Sequence, residues 1–297
     1  QLHAVVAKPP SDIIIIYNSN SRGRRTLQMS LITISRGSYT RGKEVAERVA
    51  SKLGYECVAR ETIVEASREF NIPEIKLIKA MHDAPSILDR FSYGKEKFVA
   101  YCQLAFLEHM QRDNVVYHGL AGHFLLRGIS HVLKVRIIAD MTDRIKLEME
   151  RERISEREAA RILKNDDEAR QKWSLHVYGV DTKDSSLYDL VIHIRKITVD
   201  EAADIICETV KFDHFKATKE SKEAFEDLLL TARVKVALLD KAPAAQVYAR
   251  SGVVQIKTSA PDYQEDKLVK SLELTAKAVP GVKDAKVFVV PIVPFAD

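Results

Sequence analysis

The chain has 297 residues, of which 46% are hydrophobic and 30% charged, and its formal net charge is +4 at pH 7. At about 150 residues per domain, this length predicts two domains, with enough core to need neither disulfides nor a structural metal. Eleven glycines and nine prolines exclude collagen-like and low-complexity proteins. The mild charge contains no long block of one sign, so no nucleic-acid partner is expected.

The start of the chain and its cysteines indicate a cellular location. Three widely spaced cysteines, Cys57, Cys102 and Cys207, form neither a disulfide framework nor a zinc pattern. Reduced thiols are typical of the cytosol, so a cytoplasmic protein is expected. The opening residues do not read as a signal peptide, and no apolar run reaches the ~20 residues that cross a bilayer. Residues 1–30 are predicted to be a loosely attached N-terminal extension.

From Leu31 onward, short apolar strands alternate with amphipathic helices. The predicted strands are Leu31–Ser35, Tyr55–Val58, Asn114–His118, His131–Ala139 and Leu187–Ile194. The predicted helices are Gly42–Leu53, Lys95–Gln111, Asp143–Arg153, Ser155–Lys164 and Val199–Val210, with a further helical region over Glu61–Met81. Such alternation predicts an α/β domain, a parallel sheet flanked by helices.

The C-terminal part of the chain has a different order of predicted helices and strands. The polar run Lys211–Lys222 marks a domain boundary. Beyond it, a helix near Phe225–Leu239 precedes two strands that meet at a Ser251–Gly252 turn. A second helix over about Tyr263–Ala278 and a last strand, Lys286–Val290, complete a small α+β unit of order αββαβ.

A glycine-rich segment between the first strand and the first helix carries the most specific motif. Gly37 and Gly42, followed by Lys43, have the G-x-x-x-x-G-K spacing of phosphate-binding loops. Backbone amides of such a loop and of the helix N-terminus bind phosphates, and the lysine reaches the β- and γ-phosphates. The predicted nucleotide-binding residues are Gly37, Ser38, Tyr39, Thr40, Arg41, Gly42, Lys43 and Glu44. Glu44 stands where a Ser or Thr usually binds Mg²⁺ and is the candidate metal ligand. The alternative is a glycine-rich turn with a surface lysine.

A family resemblance rests on three segments. Ile32–Gly54, Val132–Leu163 and Ser185–Ile194 resemble the cytidylate kinase-like family of P-loop nucleoside monophosphate kinases. The resemblance covers about Leu31–Val210 and implies a kinase domain over residues 31–211. It also implies an enzyme that uses ATP and Mg²⁺ to phosphorylate a nucleoside monophosphate, most plausibly CMP or dCMP.

An arginine-rich region follows the fourth predicted strand. Eight basic and eight acidic residues interleave between Arg144 and Arg170. The resemblance implies that Arg151, Arg153, Arg157 and Arg161 form a catalytic lid over ATP, and that Arg170 reaches the acceptor phosphate or the transferring group. Interleaved charges at helical spacing are equally typical of a salt-bridged, solvated helix face. Both interpretations of each arginine stay open.

The C-terminal unit has a resemblance of its own. Gly252–Ala260 and Val279–Val290 resemble parts of a BON domain, which implies a BON-like domain over residues 222–292. BON domains are interaction modules, so the resemblance implies a protein or membrane-surface partner. An oligomer is also compatible with the sequence.

Two other functions compete with the kinase. In the family, the third strand usually runs into a Gly-Arg pair, whereas this chain has Gly119 and Leu120. Together with Glu44, this favours a nucleotide-binding regulatory module without turnover that signals through the BON-like domain. A binder of nucleic acid or anionic lipid that uses Arg22–Arg25 and the tail is a third candidate, disfavoured by the near-balanced charge. His118 and His123 fall near a strand end, where packing and ligand binding are both open.

Overall fold

The structure is a computed structural model that describes residues 30–37, 41–59, 94–119, 122–260 and 265–291. Several sequence predictions concern residues outside these ranges. They are the N-terminal extension up to residue 29, loop residues Ser38, Tyr39 and Thr40, the helical region Glu61–Met81, and Leu120.

The first unit contains five strands and their connecting helices among the described residues. The strands are β1 (Leu31–Arg36), β2 (Glu56–Ala59), β3 (Val115–Gly119), β4 (Val132–Ala139) and β5 (Leu190–Ile194). The helices are α1 (Gly42–Leu53), α2 (Gly94–Met110), α3 (Gly122–Leu125), α4 (Met141–Glu152), α5 (Glu156–Tyr178) and α6 (Val199–Thr209).

These strands form one parallel sheet of order β2-β3-β1-β4-β5. In the centre, Leu31 of β1 is in register with Val115 of β3 and Val132 of β4. The predicted parallel α/β sheet is therefore confirmed. Because the strands are parallel, the C-terminal ends of β1, β3 and β4 lie at one edge of the sheet, where α/β proteins bind ligands.

Helices cover both faces of the sheet. On one face, Val45 and Val49 of α1 are fully buried against Ile32 and Ile34 of β1. On the other, Leu107 and its neighbours on α2 pack against alternate residues of the same central strands. Burial of β1 on both faces explains why its polar residues before Arg36 are the small Thr33 and Ser35.

The C-terminal unit consists of α7 (Lys219–Leu238), β6 (Gln246–Arg250), β7 (Val253–Ala260), α8 (Glu265–Lys277) and β8 (Asp284–Pro291). Its sheet order is β6-β7-β8, with β6 antiparallel and β8 parallel to β7. The predicted αββαβ order is therefore correct.

Helix α7 contributes to both hydrophobic cores. Phe225 and Leu229 pack with α2 in the core of the first unit. Val234 and Leu238 instead pack in the core of the small sheet. An ion pair between Arg233 and Glu108 of α2 lies beside this contact, at 3.3 Å. The division of the chain near residues 211–222 stays a prediction.

Some predicted boundaries differ from the observed ones. Strand β5 begins at Leu190 rather than Leu187, because Ser185–Leu187 form a 3-10 turn. The Asp184 carboxylate begins that turn by accepting a hydrogen bond from the Ser186 amide at 2.9 Å. Helix α5 continues past the predicted end at Lys164, since its buried positions recur as far as Val177.

Candidate active site

The glycine-rich loop turns sharply from β1 into α1. Arg41 has left-handed backbone angles, φ 59° and ψ 12°, and α1 begins at the next residue. A Cβ atom on Gly42 would lie 2.7 Å from Cβ and 2.9 Å from Cδ of Arg36. Gly42 is therefore required because the first turn of α1 packs directly on the residue that ends β1.

The first turn of α1 is not capped by its N-cap side chain. Ser155, Thr198 and Thr218 each accept a hydrogen bond from the first turn of their own helix. Arg41, at the corresponding position of α1, makes no such bond. Amides at an uncapped helix start, together with the positive end of the helix dipole, form a suitable environment for a phosphate.

A cavity of about 590 Å³ opens beside this turn, and we call it the phosphate-loop cavity. Its lining comes from β1, the start of α1 and the second half of α4. The lining residues are Arg36, Arg41, Gly42, Lys43, Glu44, Leu147, Glu150 and Arg151. Helix α4 thus contributes a cation, Arg151, opposite the glycine-rich turn.

Ion pairs hold the charged side chains of this cavity loosely. The Lys43 ammonium lies 3.7 Å from a carboxylate oxygen of Glu47, one helical turn further on, and is 64% exposed. The Glu44 carboxylate lies 4.0 Å from the Arg41 guanidinium. Arg151 pairs with Glu148 and Glu152. The pairs of Lys43 and Arg41 are exposed and contribute little to stability, so these two side chains can reorient toward a bound anion. The Glu148 side chain is 2% exposed, so its pair with Arg151 is more firmly held.

A second, smaller cavity of about 200 Å³ lies at the same sheet edge. We call it the arginine cavity because four arginines and a lysine line it. Its charged and polar lining residues are Arg36, Arg136, Arg144, Arg170, Lys183, Asp167, Gln171 and Thr182. One carboxylate among five cations makes this cavity a strong candidate for an anion site. Arg36 lines both cavities.

Arg144 is fixed in the arginine cavity by a bidentate ion pair. Two of its guanidinium nitrogens donate hydrogen bonds of 2.8 Å to the two carboxylate oxygens of Asp167. Arg144 is 7% exposed. The pair joins α4 to α5 and fixes the orientation of the guanidinium.

Arg136 is held by Tyr188. The guanidinium donates a hydrogen bond of 3.3 Å to the phenol oxygen and lies 5.5 Å from the ring centroid. The Tyr188 hydroxyl in turn donates to the Thr182 carbonyl at 2.9 Å and lies 3.2 Å from Oγ of Ser35. Burial raises the pKa of Tyr188, so the phenol stays protonated. Tyr188 thus connects β1, β4 and the loop that carries Lys183.

The structure separates the predicted arginines into two groups. Arg151 lines the phosphate-loop cavity, and Arg170 lines the arginine cavity. Arg153, Arg157 and Arg161 are exposed and belong to the lining of neither cavity. Arg153 has a left-handed φ of 56° and ends α4. Whether the last three arginines form a lid stays a prediction.

Sequence reasoning missed three cations of the arginine cavity. Arg136 and Lys134 interrupt an otherwise apolar strand, and charges within such a strand are a usable indication of a site. Arg144 was one of eight basic residues and had no feature that distinguished it. Lys183 lies in a loop, and a lysine in a loop does not by itself indicate a binding site.

The two histidines near the strand ends are buried. His118 and His123 are 4% and 6% exposed. The His123 ring lies 4.8 Å from the Tyr188 ring, and burial lowers the pKa of His123 to about 4. In the part of the chain that the structure describes, no group of three His, Cys, Asp or Glu side chains is placed to hold a metal.

A scan against family models gives one match that decides the classification. The model of the cytidylate kinase-like family matches residues 31–196, the region that carries the sheet and both cavities. The chain belongs to the cytidylate kinase-like family. Membership supports a nucleoside monophosphate kinase-like function, and it implies ATP, a divalent metal and a monophosphate substrate.

Curated relatives agree with this family. A cytidylate kinase of Sulfolobus acidocaldarius is 29% identical over 164 residues, which cover 54% of this chain and 84% of that protein. A cytidylate kinase of Staphylothermus marinus is 26% identical over 179 residues, covering 59% and 90% respectively. A cytidylate kinase of Methanosarcina acetivorans is 34% identical over 100 residues, covering 33% and 54%.

Solved structures with related folds are more distant. An uncharacterised protein of Eubacterium ventriosum has a TM-score of 0.48 and 21% identity, with 61% of this chain and 98% of that chain covered. A shikimate kinase of Bacteroides thetaiotaomicron has a TM-score of 0.40 and 10% identity, covering 62% and 99%. These similarities are too weak to inform the reaction. Separately, none of the described helices has the length and hydropathy of a membrane span.

Proposed function

We propose that the protein transfers the γ-phosphoryl group of ATP to a nucleoside monophosphate, with CMP or dCMP as the preferred acceptor. The polyphosphate binds in the phosphate-loop cavity, and the phosphate of the acceptor binds in the arginine cavity. The observation that carries this proposal is that both cation-lined cavities lie at one sheet edge and share Arg36. The choice of CMP or dCMP is supported by the curated relatives, which are cytidylate kinases.

The residues of the phosphate-loop cavity fit the phosphates of ATP. The amides at the start of α1 have no acceptor from the N-cap side chain, and Gly42 permits close approach. Lys43 exchanges its exposed contact with Glu47 for a phosphate oxygen, and Arg151 adds a second cation from α4. Magnesium usually binds through one or two carboxylates and the substrate phosphates. Glu44, an exposed carboxylate on the cavity lining, fits that requirement and would hold the ion, which supplies positive charge to the transferring group.

The arginine cavity fits a second phosphate. Arg136 and Arg144 are held in fixed orientations by Tyr188 and Asp167 respectively. Preorganised donors bind a phosphate without the entropic cost of ordering their side chains. Arg170 and Lys183 complete the lining. We assign these residues to binding the acceptor phosphate. We assign Arg36 to stabilising the phosphoryl group that passes from ATP to the acceptor.

Phosphoryl transfer requires alignment and charge stabilisation rather than a covalent intermediate with the protein. Arg36 ends β1 and borders both cavities, so it is placed to stabilise charge on the transferring phosphoryl. The predicted lid arginines Arg153, Arg157 and Arg161 are assigned a supporting role, in which their segment excludes water when substrate is bound.

A panel of monophosphates in a coupled ADP-release assay tests the proposal. We expect turnover with CMP or dCMP and much slower turnover with AMP or GMP. Lys43→Ala and Arg170→Ala each lower kcat/KM by about 100-fold or more, because removing a charge that acts in the transition state typically has effects of this size. Lys172→Ala, an exposed position two residues from Arg170, is the matched control and leaves the rate unchanged.

A nucleotide-binding module without turnover is the second candidate. The observation that favours it is the Lys43–Glu47 ion pair, which directs the lysine along the helix surface. ATP binding by titration calorimetry, combined with no ADP release on any monophosphate, would select this alternative. Signalling through a BON-like domain would then be its output, and the contact of α7 with α2 provides a physical connection.

A further inference from the structure

The small C-terminal sheet has one covered and one open face. Val247, Val254 and Ile256 are buried against α7 and α8. Residues of opposite parity point away from the helices, and two of them are aromatic. Tyr248 on β6 is 61% exposed, and Phe288 on β8 is 52% exposed.

Register places the open face in rows across the three strands. One row is Tyr248, Gln255 and Lys286, and the next is Gln246, Lys257 and Phe288. A third row contains Arg250, Val253 and Asp284. Two aromatic rings and three basic side chains are therefore distributed over this surface, which we call the open sheet face.

The open sheet face carries more basic than acidic side chains. The two helices of this unit carry seven acidic and seven basic residues and therefore have no net charge. On the strands, the only carboxylate is Asp284, and it pairs with Lys277 at 3.1 Å. Within the described residues, the side chains of Arg250, Lys257 and Lys286 make no ion pair or hydrogen bond. The sequence-based expectation of no nucleic-acid partner rests on the net charge of the whole chain, which does not report the local charge of this face.

A concave space of about 610 Å³ lies on this face beside Tyr248. Arg250, Val253 and Gln255 line it together with the tyrosine. This set combines a ring for stacking, an amide that can donate and accept hydrogen bonds, and a cation for a phosphate. The combination matches the parts of one nucleotide: base face, base edge and backbone.

We propose that the open sheet face binds single-stranded nucleic acid. Bases stack on Tyr248 and Phe288, and the backbone follows Arg250, Lys257 and Lys286. Open β-sheets that carry exposed aromatic and basic residues bind single strands in this way, because every base offers a π-face. This surface lies outside both cavities, so the proposal does not depend on the proposed kinase reaction.

The arrangement favours a single strand over two other polyanions. A duplex hides its base faces, so it could use the cations but not the rings. An anionic membrane would use the cations and insert apolar groups, but the two rings lie on the outer strands β6 and β8, with the polar side chains of Gln255 and Lys257 between them. Both polyanions are included as arms of the experiment.

Fluorescence anisotropy of the full chain with labelled oligonucleotides tests the proposal. The probes are oligo(U), oligo(dT) and a duplex, each of about ten nucleotides, a length that suits a single-strand site. We expect one or both single strands to bind more tightly than the duplex. With three cations on the backbone, raising salt from about 50 to 200 mM should weaken binding about 20-fold.

Substitutions on the face locate the binding. Tyr248→Ala and Phe288→Ala should each weaken single-strand binding at least about 5-fold. Lys257→Glu and Lys286→Glu are a second pair that does not remove apolar contacts. Leu274→Ala, at a 71% exposed position on α8, and Lys270→Glu on the same helix are matched controls that leave affinity unchanged. Circular dichroism confirms that each variant is folded.

Three results would overturn the proposal. The first is no binding of either single strand at about 0.1 mM protein in low salt, the weak limit of non-specific binding. The second is binding that both aromatic and both lysine variants retain. The third is binding of vesicles containing anionic lipid in place of the oligonucleotides, which would assign the face to a membrane.

Discussion

The Arg144 guanidinium and the Asp167 carboxylate face each other through two parallel hydrogen bonds of 2.8 Å. This pair ties α4 to α5 at the edge of the arginine cavity. It fixes a cation whose side chain is 8% exposed at a place where an anion can reach it. The structure therefore distinguishes Arg144 from the other basic residues of this region, which the sequence alone does not.

Replacing the carboxylate of this pair should reduce both stability and acceptor binding. Asp167→Asn leaves the Arg144 charge without its partner, and we expect a loss of about 2 kcal/mol in the free energy of unfolding. That estimate lies below the value for a fully buried pair, because the Asp167 side chain is 25% exposed. Urea unfolding and the KM for CMP measure the two effects. Glu168→Gln, on the exposed side of the same turn, is the control, and equal effects of both variants would contradict this role.

Removing the Tyr188 hydroxyl should affect the acceptor more than ATP. Tyr188→Phe keeps the ring under Arg136 but removes its hydrogen bonds to Arg136 and Thr182. We expect the KM for the monophosphate to rise about 5- to 10-fold while the KM for ATP changes little, as loss of a charge-assisted hydrogen bond predicts. Tyr55→Phe removes a comparable hydrogen bond, to Ser30, away from both cavities. A fall in kcat with unchanged KM values for both substrates would contradict a role of Tyr188 in binding the monophosphate.

The buried His123 should make stability depend on pH. Burial lowers the pKa of His123 from its ordinary value of 6.5 to about 4 in the folded protein. Between those values the unfolded chain binds a proton and the folded chain does not, so stability falls as pH falls from about 6.5 toward 4. We expect His123 to contribute about 2 kcal/mol of the loss between pH 7 and pH 5.

Urea unfolding at both pH values checks this expectation. His123→Gln should remove the His123 contribution, leaving that of His131, whose pKa is also lowered by burial. The exposed His214 provides the control variant, His214→Gln, which keeps the full pH dependence. Identical pH dependence of the wild type and His123→Gln would contradict the assignment.

Helix α7 should couple the unfolding of the two units. Leu229→Ala, at a 2% exposed position in the shared core, should lower the free energy of unfolding by about 2–5 kcal/mol. Trp173, the single tryptophan, reports on the first unit, and circular dichroism reports on the whole chain. Coincident transitions are expected for the wild type and for the Leu274→Ala control. Two separated transitions would show that the units unfold independently.

The order of helices and strands was predictable because the spacing of hydrophobic residues differs between the two kinds of element. Parallel strands such as β3 are buried on both faces, and α1 repeats its buried residues on one side. Boundaries were less predictable where local capping decides them. Asp184 begins a short turn that delays β5 to Leu190, and no apolar pattern encodes that contact.

The candidate site was predictable only in part. The glycine spacing located the loop, because a turn packed on Arg36 requires Gly42. The arginine cavity was not predictable, since it brings together residues from β1, β4, α4, α5 and the following loop. Arg157 and Arg161 share the sequence pattern of Arg170, but their helical positions face solvent. Tertiary placement, which spacing alone does not give, separates these residues.

The central claim is that two phosphate sites meet at Arg36, and a bisubstrate analogue tests it most directly. Cytidine and adenosine joined through a 5′,5′-pentaphosphate should bind one molecule per chain by titration calorimetry and be displaced by ATP and by CMP separately. Arg36→Ala should weaken this analogue more than it weakens ATP alone. An analogue that binds no more tightly than ATP, or ATP and CMP that displace each other from a single site, would contradict the account.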